Sequence, residues 1–280
     1  MIYMDSIIVL SVVFLSVTAA IASISLLVVA RKFAVKEDPR IEQVAEMLPG
    51  INCGACGFAG CRGLAEAMVD AAKTGEIADL RCPVGGMETM QEIGRFLGFK
   101  VSETDPTVAV LRCGGSSQVT EKKLNFEGPR KCAIAHSLFS GEKGCAFGCL
   151  GLGDCVEACH FDALHMDPGT GLPLVNPENC VSCGACVKAC PRHLFELRPL
   201  GAENRRVWVN CMNQDKGSVA MKICKAACIG CGKCVKECPE DIQAITLQNN
   251  LAYIDPGKCT TCGKCVPVCP TNAIKANFNV

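Results

Sequence analysis

Aromatic residues are scarce in this sequence: 280 residues contain one Trp, two Tyr and 11 Phe. That leaves little material for a large aromatic core of the usual kind. Net charge is also absent, with 28 Lys plus Arg against 28 Asp plus Glu and a pI near 6.8. The basic excess that nucleic-acid binding calls for is missing, so no nucleic acid is expected as a partner. No G-x-G-x-x-G follows a strand pattern and no Walker A run appears, so no nucleotide or flavin site is expected. A secretory signal would show a basic segment ahead of its apolar run and a small-residue cleavage motif after it. Neither stands before Arg31.

What the chain has in abundance is cysteine, 24 residues. Length suggests one or two domains, and thiols bonded to metal clusters relieve such domains of needing a large apolar core. Disulfides would require an oxidising compartment. Zinc favours paired C-x2-4-C knuckles, often with histidine. Iron–sulfur ligation favours compressed runs of four cysteines with proline after the last. Spacing decides among them.

Ahead of the cysteines, Ser6 to Ala30 is an uncharged run of 25 residues, longer than the roughly 20 needed to cross a bilayer core. Arg31, Lys32 and Lys36 follow it, and only Asp5 precedes it. The positive-inside bias predicts a single-pass anchor with everything after residue 30 in the cytoplasm.

The first cysteines lie in Pro49-Gly50-Ile51-Asn52-Cys53-Gly54-Ala55-Cys56-Gly57-Phe58-Ala59-Gly60-Cys61, where glycines let the backbone close around a bulky ligand. Helices are expected from Asp38-Pro39 through Met47, from Cys61 to Thr74 with Leu64, Ala65, Met68, Val69 and Ala72 on one face, and from Val84 to Phe99. Cys82-Pro83 stands between the last two. Cys53, Cys56, Cys61 and Cys82 thus form one four-thiolate site. No histidine lies near it and its fourth cysteine precedes proline, which favours iron–sulfur over zinc.

Three C-x2-C-x2-C-x3-C-P runs follow: Cys180-Cys183-Cys186-Cys190-Pro191, Cys228-Cys231-Cys234-Cys238-Pro239 and Cys259-Cys262-Cys265-Cys269-Pro270. This is the bacterial ferredoxin signature, in which the fourth cysteine of each run serves the partner cluster. One site is then Cys228, Cys231, Cys234 and Cys269, and its neighbour is Cys259, Cys262, Cys265 and Cys238. Ala244 to Leu247 and Leu251 to Ile254 read as a hairpin between the runs.

Residues 149–159 repeat 228–238 with one thiol missing, because Leu152 stands where Cys231 is; His160 also replaces the usual proline. The repeat extends upstream by spacing, since Cys132-x12-Cys145-x3-Cys149 matches Cys211-x12-Cys224-x3-Cys228. Two copies of one unit in series are implied. In the first copy, Cys159, Cys180, Cys183 and Cys186 make one site, while Cys149, Cys155 and Cys190 lack a fourth ligand. Cys145, about one helical turn before Cys149, is the favoured donor, which leaves Cys113, Cys132, Cys211 and Cys224 for a further bridging cluster. Alternatively Cys113 or Cys132 fills the gap, His160 ligates, the site holds [3Fe–4S], or the leftover thiols stay free. Five or six [4Fe–4S] clusters are expected, with all the cysteines named above as iron ligands.

Full cysteine ligation leaves no open iron for substrate, and stapling a fold rarely takes so many sites. A relay of electrons does. Between Arg205 and Lys236 lie Arg205, Arg206, Lys216, Lys222, Lys225, Lys233 and Lys236 against the acid Asp215. That excess either steers an acidic partner such as soluble ferredoxin or balances clusters of roughly −2 charge each.

On the anchor, the Gly50–Cys61 stretch with its distant Cys82, and the ferredoxin runs, the chain resembles the B subunits of the Rnf complexes, nearly end to end. Gly148-Cys149-Leu150-Gly151-Leu152-Gly153-Asp154-Cys155 and a second module resemble the family's long form from anaerobes. The resemblance implies an electron-relay subunit of an ion-translocating ferredoxin:NAD+ oxidoreductase in the bacterial inner membrane. It would take electrons from reduced ferredoxin and pass them to the other subunits. The expected fold is α+β: an anchor helix (1–34), a small helical [4Fe–4S] domain (35–100) and two ferredoxin-like modules (101–200 and 201–280). Lipid bilayer, ferredoxin and the other subunits of the complex are the expected partners.

Overall fold

A computed structural model describes residues 2–33, 37–75, 80–101, 105–138 and 141–280. Lys36, counted among the cations flanking the anchor, lies outside the described residues, as do parts of the linkers near 35 and 102. Helix α1 (Ile2–Lys32) has 31 residues, about 46 Å at 1.5 Å per residue. Its stretch Leu10–Lys32 is long and apolar enough to cross a membrane and is not buried against any other described residues.

Helices α2 (Arg40–Met47), α3 (Cys61–Thr74) and α4 (Gly86–Leu97) come next. They bury Ile41, Val44, Leu64, Ala65, Met68, Val69, Met90 and Ile93 against one another. The face read from the α3 sequence is therefore the buried one, with Ala72 at its edge. The last helix is shorter than its apolar pattern. Val84 and Gly85 form a turn instead, and Gly98, at φ +82°, ends the helix before Phe99.

The rest is two copies of one α+β unit. The first runs β1 (Thr107–Leu111), α5 (Cys132–Leu138), α6 (Asp154–Glu157), β2 (Leu164–Asp167), β3 (Leu172–Val175), α7 (Ala185–Ala189) and β4 (Phe195–Pro199). The second runs β5 (Val207–Val209), α8 (Gly217–Ile223), α9 (Lys233–Glu237), β6 (Ile245–Gln248), β7 (Leu251–Ile254) and β8 (Ile274–Ala276). In each copy the outer strands pair antiparallel, Thr107 opposite Pro199 and Val207 opposite Ala276. The inner strands form hairpins, including the one expected at 244–254.

The copies are bonded to each other. Arg198 donates to the carbonyls of Val207 (2.9 Å) and Ile254 (2.7 Å), and Trp208 Nε1 donates to Leu111 O at 3.1 Å. Arg112 and Arg198 both lie over the Tyr253 ring.

The strands correct one alignment. Cys113 lies two residues beyond β1 and Cys211 two beyond β5, so Cys113, not Cys132, is the counterpart of Cys211. Helix α5 and Cys132 belong to a segment that the first copy carries between its first strand and its Cys145.

Candidate metal centres

In each cysteine run the residue before the second cysteine position has left-handed backbone: Gly151 (φ +76°), Ser182 (+61°), Gly230 (+63°) and Thr261 (+56°). Successive N–H groups then turn inward, making the concave nest that favours anionic ligands. The two repeats enclose five voids of about 330 to 380 Å³, each bordered by four thiols. Cys228, Cys231, Cys234 and Cys269 share one. Cys238, Cys259, Cys262 and Cys265 share the next, and Cys159, Cys180, Cys183 and Cys186 a third.

The two irregular voids differ from the grouping that spacing favours. Cys149, Cys155 and Cys190 are joined by Cys132, not by Cys145. Cys145 instead lines a void with Cys113, Cys211 and Cys224. The reason is topological: Cys145 is the counterpart of Cys224, and both face the seam between the copies, whereas α5 brings Cys132 back onto the motif. His160 borders neither void, and both sets have four thiols.

This central void is bonded to its neighbours on both sides. The N–H of Cys149 donates to Cys113 Sγ at 3.3 Å, and in the second copy the N–H of Cys228 donates to Cys211 Sγ. Asn213 donates its backbone N–H to Cys211 Sγ (3.4 Å) and its side-chain amide to Cys145 Sγ (3.5 Å). Five voids thus follow one another through the two copies.

The remaining four cysteines lie in the helical unit. The Cys82 thiol accepts the Gly85 N–H at 3.3 Å and feels the thiols of Cys61 and Cys56. Cys53 lies half-buried on the same loop. Asn52, which no spacing rule singles out, holds this loop shut: its Oδ1 accepts the Cys61 N–H at 2.8 Å. Gly60 is required beside it, because a Cβ there would sit 2.8 Å from Asn52 Oδ1 at a φ of +117°.

Several features fit clusters rather than disulfides or single ions. All 24 cysteines are free thiols. The four-cysteine sets of the two repeats surround voids instead of converging within the roughly 2.3 Å of one centre that tetrahedral zinc demands. The buried Thr120 hydroxyl borders the central void and has no hydrogen-bond partner among the described residues. Burial pushes the thiols of Cys149, Cys155, Cys186, Cys211 and Cys265 up to about 12 and Cys234 to about 11. Loading iron must therefore displace protons, as thiolate ligation requires.

Cations sit where such clusters would need them. Arg206 is buried with its Nε and Nη1 atoms unbonded among the described residues, and the Cys180 thiol is near enough to act on it electrostatically. It takes no part in a docking surface, so for Arg206 the balancing role is the one the packing supports. Arg192 donates from Nη1 to Cys145 O (3.2 Å) and to Gly148 O, and borders the Cys132 void while facing Cys145, Cys149, Cys113 and Cys190. Its counterpart in the second copy is Thr271. At an effective dielectric near 20, a unit charge roughly 8 Å away is worth about 2 kcal/mol, or about 90 mV for one electron. Arg192→Gln is thus expected to lower the reduction potentials of these two sites by tens of millivolts and spare the others. A redox titration followed by EPR checks this, and unchanged potentials would dismiss the charge effect.

A row of four-thiol voids in paired ferredoxin-like units defines an iron–sulfur electron carrier. Family models for a 4Fe-4S dicluster domain match residues 144–194, 227–273 and 176–242, and one for a putative Fe-S cluster matches 48–83. The chain is 42% identical over 244 residues to the B subunit of the Na(+)-translocating ferredoxin:NAD(+) oxidoreductase complex of Acetobacterium woodii, covering 87% of this chain and 70% of that one. It is 40% identical to the B subunit of the ion-translocating oxidoreductase complex of Methanosarcina acetivorans (79% and 81% covered). With the B subunit of the proton-translocating ferredoxin:NAD(+) oxidoreductase complex of Clostridium ljungdahlii the identity is 38% (90% and 85% covered). The chain belongs to the B-subunit family of ion-translocating (Rnf) oxidoreductase complexes. It is an iron–sulfur relay that works with the other subunits of such a complex.

Proposed function

We propose that the chain holds six [4Fe–4S] clusters, one per four-cysteine set, and conducts electrons from reduced ferredoxin toward the membrane. The observation that carries this reading is the central void of Cys113, Cys145, Cys211 and Cys224, which joins two ferredoxin-like units into one row. Electrons enter at the second copy. There Cys231 and Cys262 are the two exposed cysteines, and Lys216, Lys222, Lys225, Lys233 and Lys236 are exposed, as are Val219 and Met221. They pass through the first copy to the Cys53, Cys56, Cys61 and Cys82 site, and from there to partner subunits. Helix α1 spans the bacterial inner membrane in contact with lipid, with Arg31 and Lys32 on the cytoplasmic side beside the redox units. No conversion of a substrate is assigned to this chain itself.

The test is anaerobic: full-length protein in detergent, iron and acid-labile sulfide quantified, and reduction by ferredoxin followed by stopped flow at increasing salt. Six clusters' worth of iron is expected, with a rate that falls at least about tenfold as salt screens the lysines. Lys233→Glu with Lys236→Glu should slow it similarly at low salt. Clusters silent to ferredoxin would refute the direction, and a rate indifferent to salt would refute the docking face.

A further inference from the structure

We propose that Asp154 is a positioning residue that seats an imported ligand, Cys132, where the first repeat has lost a cysteine. The inference rests on the reading that the void of Cys132, Cys149, Cys155 and Cys190 holds a [4Fe–4S] cluster.

At Leu152 the motif lacks its thiol, yet the loop keeps its shape. Gly151 and Gly153 have φ of +76° and +88°, against +63° and +73° for Gly230 and Gly232 in the intact copy. The empty position is filled from outside. The Cys132 thiol, on α5, accepts backbone N–H groups from Leu152 and Asp154. It therefore rests on the residue whose own side chain cannot ligate.

Asp154 completes the exchange in the other direction. Its Oδ1 accepts the Cys132 N–H at 2.8 Å and its Oδ2 accepts the Ala133 N–H at 3.1 Å. One residue thus holds the thiol with its backbone and the backbone of that cysteine with its side chain. The ion pair of Lys131 with Glu157, on the same short helix as Asp154, ties the two segments together again.

The intact copy has nothing comparable to tether, and there the counterpart of Asp154 is the exposed Lys233. A carboxylate beside a thiolate is electrostatically unfavourable, so its place here calls for a compensating bond, and two backbone bonds supply it. Cys149 and Cys155 are fixed by the motif's own loop, but Cys132 is fixed only through α5 and these bonds. The iron on Cys132 is accordingly the one most readily lost.

Ferricyanide provides the test on full-length protein. Oxidation removes one electron from a [4Fe–4S]2+ cluster and releases one Fe2+, leaving [3Fe–4S]+, which has a distinctive S = 1/2 EPR signal. Under the same ferricyanide treatment, Asp154→Ala should give that signal in several-fold higher yield than the wild type, and Cys132→Ala should give it in the highest yield of the three. Adding Leu152→Cys to Asp154→Ala should suppress it, because the restored motif no longer needs the imported thiol.

The proposal is overturned if Asp154→Ala behaves as wild type, or if Leu152→Cys fails to suppress its signal. Should Asp154→Ala assemble no clusters at all, recovery of all of them on adding Leu152→Cys upholds the proposal, and no recovery overturns it. Wild-type protein without [4Fe–4S] signals would sink the cluster reading itself, a distinguishable outcome.

Discussion

Replacing Cys211 with alanine is expected to cut the row of clusters in two. The thiol is buried at the seam between the repeats, where it shares the central void with Cys113, Cys145 and Cys224. Each repeat contributes two of these cysteines, and neither can complete the site alone. Electron tunnelling falls exponentially with the gap, and losing the middle site roughly doubles the gap between its neighbours. Ferredoxin should still reduce the second repeat at the wild-type rate, while transfer onward to the first repeat slows by orders of magnitude. Iron should fall by one cluster's worth, with the seam held by Arg198 and Trp208. Rapid-freeze EPR separates the two phases. Unchanged equilibration across the repeats would mean that electrons bypass the central void. Cys132→Ala should be milder, because its three remaining thiols, Cys149, Cys155 and Cys190, all belong to one repeat and can keep a conducting three-iron cluster, whereas the three left at the seam are split between two.

The contrast shows which parts of the site were legible in the sequence. Within a run such as Cys228-Cys231-Cys234 the spacing is local, so the cysteines that it groups line one void. The irregular ligands arrive from far along the chain, and spacing misleads there. Cys132-x12-Cys145 and Cys211-x12-Cys224 have equal lengths although Cys132 lies on α5 and Cys211 just past β5. A better signal was present: an apolar strand followed two residues on by cysteine, at both Leu111–Cys113 and Val209–Cys211. Asp154 was legible only as a mismatch with Lys233, whose meaning depends on where α5 returns. The α3 face could be read directly because one helix carries it. The buried cations Arg192 and Arg206 could not, since their burial is created by contacts between segments.

Removing iron should have the largest effect of all on stability, and an uneven one. Sequence alone suggests that most of residues 36–280 would be poorly ordered without metal, because metal-site folding is coupled to binding, and the packing shows where that dependence should be strongest. The repeats hold four separate two-stranded sheets, each marginal by itself in water. Helices α6, α7 and α9 have four or five residues, far below the roughly 12–15 at which an isolated helix becomes even marginal. Their cores are built around cysteines, among them Cys211, Cys224, Cys234 and Cys265. Once iron is gone, those thiols border empty space. For scale, a structural zinc contributes about 10–16 kcal/mol to folding small peptides, and these repeats lean on five such sites.

The helical unit is different, because Val44, Leu64, Met68, Val69 and Ile93 are almost wholly buried. Each is worth about 1.5–3 kcal/mol relative to exposure. After anaerobic chelation, amide exchange between Thr107 and Ala276 should therefore approach unfolded-chain rates, while α3 and α4 keep measurable protection. Hydrogen exchange read by mass spectrometry before and after chelation makes the comparison within one molecule. Loss of protection everywhere would mean that the Cys53–Cys82 cluster, and not the apolar faces of α2 to α4, holds the helical unit together. Retained protection in the repeats would mean that contacts such as those of Arg198 and Trp208 sustain the fold without the cofactors.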